Sequence, residues 1–287
     1  MKIARFWEKS EVRVASPSGQ NYIGSAWGWS SSNKEEALDK ARQAANRVAQ
    51  WIQNKDQVDF EYGLDYPDRP PREEIVREIE NDAGETIAII TRNATGALVL
   101  STPSLAFIDV DIPPQSASSA LGRSLKRLFR QPVEEPEERV QRAITQAAMR
   151  HSQYSFRVYR TAAGFRCILL NATLTPGSAV SSALLDEFGA DQLYKKLCLT
   201  QECYRARLTP KHWRCEAERP PNRFPWPNAG EEERFRHWQR DYEARSASYA
   251  VCRLVEQIGS RRATVELQKL IDLHDEMSGV KSALPLA

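Results

Sequence analysis

Alternating apolar and polar positions predict strands along much of the chain. Residues 10–30 predict two short strands around a Ser-Gly turn. Residues 84–111 contain three apolar, β-branched runs separated by RNATG and STPS, which predicts three neighbouring strands. Residues 154–171 predict a hairpin with the turn TAAG, and CYRARLTP at residues 203–210 predicts a further strand. Together these segments favour a central, mainly antiparallel sheet.

Apolar positions with a period of about 3.6 residues predict the helices. The first is expected over residues 32–53, with Ser32 or Asn33 as its N-cap. A second is expected in the proline-rich segment 65–82, where prolines precede two glutamates. Further amphipathic helices are predicted at residues 138–152, 178–189, 232–260 and 264–277.

The predicted fold class is α+β, with a central antiparallel sheet flanked by helices and a helical C-terminal region. The order of elements suggests an N-terminal α/β unit at residues 1–84, a central unit at 85–215 and a helical unit at 216–287. We expect these three units to form one compact body.

Composition narrows the class of protein. Hydrophobic residues make up 41% of the 287 and charged residues 27%, which is typical of a globular chain with a sizeable core. No apolar run approaches the roughly 18 residues of a membrane span, and the start lacks an apolar signal region. Five cysteines without a tight framework favour reduced thiols. We therefore expect a cytoplasmic protein with no membrane partner.

Charged residues form local basic and acidic segments, although the two signs nearly cancel over the whole chain. The net charge of +2 gives no overall attraction to nucleic acid. The segment 113–136 is Ser-rich, then basic, then acidic, which predicts a loop with little apolar surface to bury. A basic loop of this kind suits an anionic substrate, and a solvated run of charges is the alternative.

Two aspartates stand out at the end of the predicted strand FIDVD. Asp109 and Asp111 are two positions apart, so in a strand their carboxylates share one face and repel each other. Oxygen ligands in such a pair suit Mg²⁺ or Mn²⁺, which would cancel the repulsion. The alternative is a pair of solvated residues at a strand end.

Basic residues fall at the neighbouring predicted strand ends and turns. Arg160 and Arg166 flank the predicted hairpin turn, and Arg205 and Arg207 share one face of the strand that precedes Lys211. Arginines that face a metal site bind phosphates through bidentate hydrogen bonds. The combination predicts metal-dependent phosphoryl or nucleotidyl transfer, with these five cations holding triphosphate or nucleic-acid backbone.

The layout of these segments resembles the palm of the archaeo-eukaryotic primase superfamily. FIDVD resembles its first, metal-binding motif. RTAAGFR resembles the hairpin of its second motif, with Arg166 where histidine is usual, and CYRARLTPK resembles the segment around its third motif. The resemblance covers residues 85–215. It implies an RRM-like palm, nucleotides and nucleic acid as partners, and catalytic roles for Asp109, Asp111 and a third acid, Asp191 or alternatively Glu202.

Cysteine and histidine spacing suggests a rival metal site. Cys198, Cys203, His212 and Cys215 have ligand chemistry suited to a structural Zn²⁺, although no Cys-x-x-Cys pair is present. Buried thiols are the alternative. His274 and Asp275 also resemble a metal pair, and a histidine on a helix surface is the simpler interpretation.

Other chemistries find little support, and two further hypotheses remain open. The chain has neither a Gly-x-Ser-x-Gly elbow nor a phosphate-binding loop ending in Gly-Lys-Ser/Thr. It could be a catalytically inactive module that binds nucleic acid or nucleotides. It could also be an interaction protein whose acids and arginines form a structural charge network, in which case Asp109→Ala would unfold it.

Overall fold

A computed structural model describes residues 1–54, 70–113 and 135–287. The described strands are β1 (Phe6–Ala15), β2 (Asn21–Ser30), β3 (Glu74–Glu80), β4 (Thr86–Arg92), β5 (Leu98–Thr102), β6 (Phe107–Asp111), β7 (Phe156–Thr161), β8 (Gly164–Leu169), β9 (Tyr204–Arg207) and β10 (Cys252–Ile258). The described helices are α1 (Lys34–Gln53), α2 (Pro136–Arg150), α3 (Ala179–Glu187), α4 (Gln192–Gln201), α5 (Ala229–Ser246) and α6 (Val265–Met277), with a short 3₁₀ helix at His212–Arg214. Most of the predicted loop at 113–136 lies outside the described residues.

Three antiparallel sheets organise the described part of the chain, which confirms the α+β fold class. β1 and β2 form a hairpin that packs on α1. One four-stranded sheet has the order β3-β4-β5-β9, and the other has the order β10-β7-β8-β6. β3 pairs with β4 across position 84, and β10 from the C-terminal region pairs with β7. The three predicted units therefore share their sheets.

Several local predictions are confirmed. The Asn33 side chain accepts a hydrogen bond from the Glu36 N–H and caps α1. The hairpin within residues 154–171 forms as β7 and β8, and the helices predicted at 138–152 and 178–189 form as α2 and α3. Each of these elements has its turn or cap signal within the segment itself.

One helix prediction is wrong and another is only partly right. The segment 65–82 contains strand β3, and in the region 232–260 the helix ends at Ser246, where α5 ends, and strand β10 follows. Ile75 and Ile79 are four residues apart, and residues with this spacing lie on one face both in a helix and in a strand. The spacing therefore cannot distinguish the two kinds of element. Pairing with β4 decides the first case, and pairing with β7 decides the second.

The prediction of one central sheet is also wrong. β4 and β5 pair with each other, whereas β6 pairs with β8 and forms the edge of the second sheet among the described residues. Both sheets contribute to a single core, in which Leu100 of the first packs with Phe107 and Ile168 of the second. The aspartate strand is thus an edge strand, which leaves one side of it open to other parts of the molecule or to a ligand.

Helices and a smaller aromatic cluster complete the packing. α2, α3, α4 and α6 each contribute buried residues to the core between the sheets. Phe235, Trp238 and Tyr242 of α5 form a second cluster with Cys215. In the described part of the chain, no helix combines the length and the apolar character needed to cross a membrane.

Candidate functional site

Asp109 forms a bidentate ion pair with Arg166. The two residues are directly opposite each other on β6 and β8, so their side chains share a face. Nε of Arg166 donates to Oδ1 of Asp109 at 2.7 Å, and Nη2 donates to Oδ2 at 3.1 Å. Arg166 is 2% exposed, whereas the side chain of Asp109 is 32% exposed. Burial lowers the pKa of Arg166, but the charge and the hydrogen bonds of Asp109, with smaller contributions from Cys252 and Tyr194, together outweigh burial and raise the pKa overall.

The ion pair continues inward as a hydrogen-bonded network. Nη1 of Arg166 donates to the Arg207 carbonyl at 2.9 Å and lies 3.3 Å from Nε2 of His274. Because a guanidinium only donates, Nε2 of His274 accepts and its proton is on Nδ1, 2.9 Å from Asp275. Asp275 in turn accepts from Arg157 at 3.0 Å.

His274 is a buried residue of this network, and the prediction that it lies on a helix surface is wrong. Its side chain is fully buried between Phe107 and Tyr159, whose ring centroids lie 5.5 and 5.3 Å away. Burial lowers the pKa of His274, although Asp275 opposes the effect. The imidazole is therefore neutral and serves as a fixed acceptor for Arg166.

Besides Arg166, two more of the arginines predicted to bind phosphate are held by carboxylates of the protein itself. Arg205 on β9 donates to both oxygens of the buried Glu73 at 2.7 Å. Arg160 on β7 donates to Glu137 at 2.6 and 3.0 Å and to the Gly164 carbonyl at 2.9 Å. An incoming phosphate would have to displace these partners.

Arg207, Lys211 and Arg214 form what we call the basic cluster. Within the described ranges, none of the three side chains has a carboxylate or hydrogen-bond partner. Burial, followed by repulsion from Arg166, lowers the pKa of Arg207. Burial, followed by repulsion from Arg207 and Arg214, lowers the pKa of Lys211, although Asp111 opposes the effect. Positive charge is thus concentrated here, opposed at a distance by Asp109 and Asp111 but without a direct ion pair among the described residues.

An exposed tryptophan adjoins the basic cluster. Trp213 lies in the 3₁₀ helix between Lys211 and Arg214, and its side chain is 55% exposed. Nζ of Lys211 lies 5.1 Å from its ring centroid. Sequence reasoning missed Trp213 and Arg214, although the segment KHWR already places an aromatic residue between basic ones.

The other two predicted catalytic acids lie nearby in different settings. Asp111 ends β6 with an exposed side chain, opposite Gly164 on β8. Asp191 caps α4 by accepting from the Tyr194 N–H at 2.8 Å, and its own N–H donates to the Asp109 carbonyl at 3.4 Å. The alternative third acid, Glu202, pairs with Lys2 at 2.7 Å. No group of three or more His, Cys, Asp or Glu side chains suited to a metal occurs in the parts of the chain that are described.

The four residues suggested for zinc do not form a metal-binding group. Cys198 and Cys203 are buried, and burial raises their pKa values to about 12 and about 11, so both are thiols at neutral pH. Cys215 packs in the aromatic cluster of α5, and its Sγ faces the His212 carbonyl at 3.4 Å. All five cysteines are free and buried. They are core residues, which is the alternative that the sequence left open.

The fold and the site define an α+β protein that has a cluster of unpaired cations beside a buried ion-pair network. Comparison of the chain with models of protein families, with curated proteins and with solved structures finds no match. The resemblance to the primase superfamily and its RRM-like palm therefore stays a prediction.

Proposed function

We propose that the protein binds the phosphate groups of nucleotides or nucleic acid at the basic cluster. The observation that supports this is the set of three cations, Arg207, Lys211 and Arg214, none of which has an ion-pair partner among the described residues. Like charges held close together destabilise a fold, and a bound phosphate would relieve that repulsion. Arginine and lysine are also the side chains that bind phosphate most readily.

Trp213 supports a nucleotide or nucleic-acid ligand over inorganic phosphate. An exposed indole beside cations offers a stacking face for a base, and stacking on aromatic side chains contributes about 1–3 kcal/mol per base. The low net charge of +2 fits a ligand that is recognised at one place instead of over the whole surface.

The contacts favour a protein that binds its ligand without catalysing a reaction. Asp109 is engaged on both oxygens by Arg166, and Asp191 caps a helix. Two of the three acids expected for nucleotidyl transfer thus have structural partners. A module of this kind still uses the basic cluster and Trp213, because neither depends on the acids.

Metal-dependent nucleotidyl transfer is the second candidate, and Asp111 is the observation in its favour. Its carboxylate is exposed and without a hydrogen-bond partner among the described residues, on the same face as Asp109 and close enough to influence Lys211. Mg²⁺ is often held by one or two carboxylates together with substrate phosphates. Asp111 and the outer side of Asp109 would hold Mg²⁺ or Mn²⁺, and the ion would neutralise substrate phosphates there.

The test is calorimetric titration of a short single-stranded oligonucleotide and of a nucleoside triphosphate, each with and without Mn²⁺. We expect Arg207→Ala/Lys211→Ala to weaken binding about tenfold or more and to reduce the salt dependence. Arg13→Ala/Arg47→Ala is the matched control, because it removes two exposed cations elsewhere. Equal affinities of the two double variants, or no binding by the folded wild type, would contradict the proposal. Loss of only the Mn²⁺-dependent part in Asp111→Asn would favour the second candidate.

A further inference from the structure

A cavity of about 1010 Å³ lies away from the residues of the basic cluster. It opens between β3, the region where β7 and β10 pair, and the outer face of α6. Its volume is at the upper end of the range of about 300–1,000 Å³ that small-molecule sites occupy. None of its lining residues belongs to the basic cluster, so it is a separate feature of the molecule.

Cations dominate the charged side chains around this cavity. Five are basic and two are acidic: Arg77, Arg157, Arg261, Arg262 and Lys269, with Asp272 and Glu276. The cavity therefore carries a local excess of positive charge, in a chain whose net charge is only +2. A concave surface with an excess of one sign attracts ligands of the other sign.

Three of these cations have donors free to bind a ligand. Arg157 is engaged by Asp275, and Nζ of Lys269 donates to a backbone carbonyl. In contrast, the side chains of Arg261 and Arg262 have no hydrogen-bond or ion-pair partner in the part of the chain that the structure describes. The only contact of the Arg77 guanidinium there is the Met277 thioether at 3.6 Å, a weak acceptor.

Apolar side chains form the other part of the lining. Ile79 of β3, Leu170 after β8 and Leu273 of α6 come from three different elements and meet here. Val265, at the start of α6, is 89% exposed. A concave apolar surface bordered by free guanidinium groups matches a ligand that joins an apolar body to an anionic group.

We infer that this cavity is a binding site for an amphipathic organic anion, with Arg261, Arg262 and Arg77 holding the anionic group and the aliphatic side chains holding the apolar body. Phosphate, sulfonate and carboxylate groups all satisfy the chemistry of these arginines. The site is independent of the proposed function, because it shares no residue with the basic cluster.

Anilinonaphthalene sulfonate is a suitable probe, since it joins a sulfonate to an apolar ring system and fluoresces when it leaves water. We expect saturable binding of the probe at this site, with a Kd about tenfold or more higher in Arg261→Ala/Arg262→Ala, because the variant loses the charge-assisted hydrogen bonds to the sulfonate. Both side chains are exposed, so the variant should fold. Arg207→Ala/Lys211→Ala should retain the probe binding that Arg261→Ala/Arg262→Ala weakens, which separates this site from the proposed function.

Two partial probes test the two halves of the site. The neutral phenylnaphthylamine lacks the anionic group, and inorganic sulfate lacks the apolar body, so each should bind much more weakly than the complete probe. Equal affinity of wild type and Arg261→Ala/Arg262→Ala for the complete probe would overturn the inference, as would the absence of saturable binding. Competition by sulfate at the same concentration as the probe would show that the apolar lining takes no part, and would overturn the ligand class.

Discussion

Asp109→Ala should destabilise the protein much more than the loss of an ordinary strand-end residue. The substitution removes both oxygens that accept from Arg166 at 2.7 and 3.1 Å. The guanidinium remains, 2% exposed, and because arginine keeps its proton even in proteins that bury it, a charge is left in a buried position. Removing one partner of a buried ion pair typically costs about 3–5 kcal/mol, because the other charge is left uncompensated.

The geometry reduces that cost for this pair. Asp109 is 32% exposed, so water can enter the space that its side chain leaves. Arg166 also keeps the Arg207 carbonyl at 2.9 Å and His274 at 3.3 Å. We therefore expect the free energy of unfolding to fall by about 2–3 kcal/mol.

Urea denaturation of matched variants measures this loss. Asp111→Ala is the control, because Asp111 is exposed on the same strand and should change the free energy of unfolding by no more than about 0.5 kcal/mol. Asp109→Ala/Arg166→Met removes both charges and should be more stable than the sum of the single changes predicts. Equal, small decreases in the free energy of unfolding of Asp109→Ala and Asp111→Ala would refute this expectation. Asp109 would then not be a structural partner of Arg166, and its role in binding a metal would gain weight.

Two other substitutions test the interior. The pKa of His274 is lowered from 6.5 in the folded state, so the unfolded chain takes up the proton first as pH falls. The free energy of unfolding should therefore decrease below about pH 6.5, by up to about 1.4 kcal/mol per pH unit. Thermal melts of His274→Gln at several pH values should show a smaller decrease. An unchanged pH dependence in this variant would contradict the burial of a neutral imidazole. Gly164→Ala would place a Cβ 2.1 Å from a backbone carbonyl of β6 and should cost more than about 2 kcal/mol in urea denaturation. Gly230→Ala in α5 is the control, because its Cβ would come no closer than 3.4 Å to Oδ1 of Asn228, and it should be neutral or stabilising. Similar losses of stability for the two glycine variants would argue against the close approach of β6 and β8.

The sequence singled out Asp109 and Arg166 but not their pairing with each other, and it missed Trp213 and Arg214. Asp109 and Arg166 both stood out as charges at strand ends, and the structure places them opposite each other as an ion pair. Strand register brings them together, and register depends on which strands pair, which no local pattern specifies. Glu73 is a similar case, because a residue predicted to start a helix turns out to hold Arg205.

The sequence alone predicted the elements whose turn or capping residues lie within the same segment. The hairpins β1–β2 and β7–β8 have turn residues between alternating strands, and α1 has Asn33 as its cap. The α+β class follows from the same local patterns. In each case a segment of about twenty residues is enough to specify the element, because capping and turn formation depend on short-range interactions.

Only the tertiary structure decided the rest. It made strands of β3 and β10 and divided one expected sheet into two. It also gave Asp109, Arg160 and Arg205 internal partners, whereas the basic cluster has no ion-pair partner in the described ranges. Whether a charged side chain is free for a ligand depends on what packs against it from distant parts of the chain. That is a balance of burial and pairing between elements, which a one-dimensional pattern of residues does not contain.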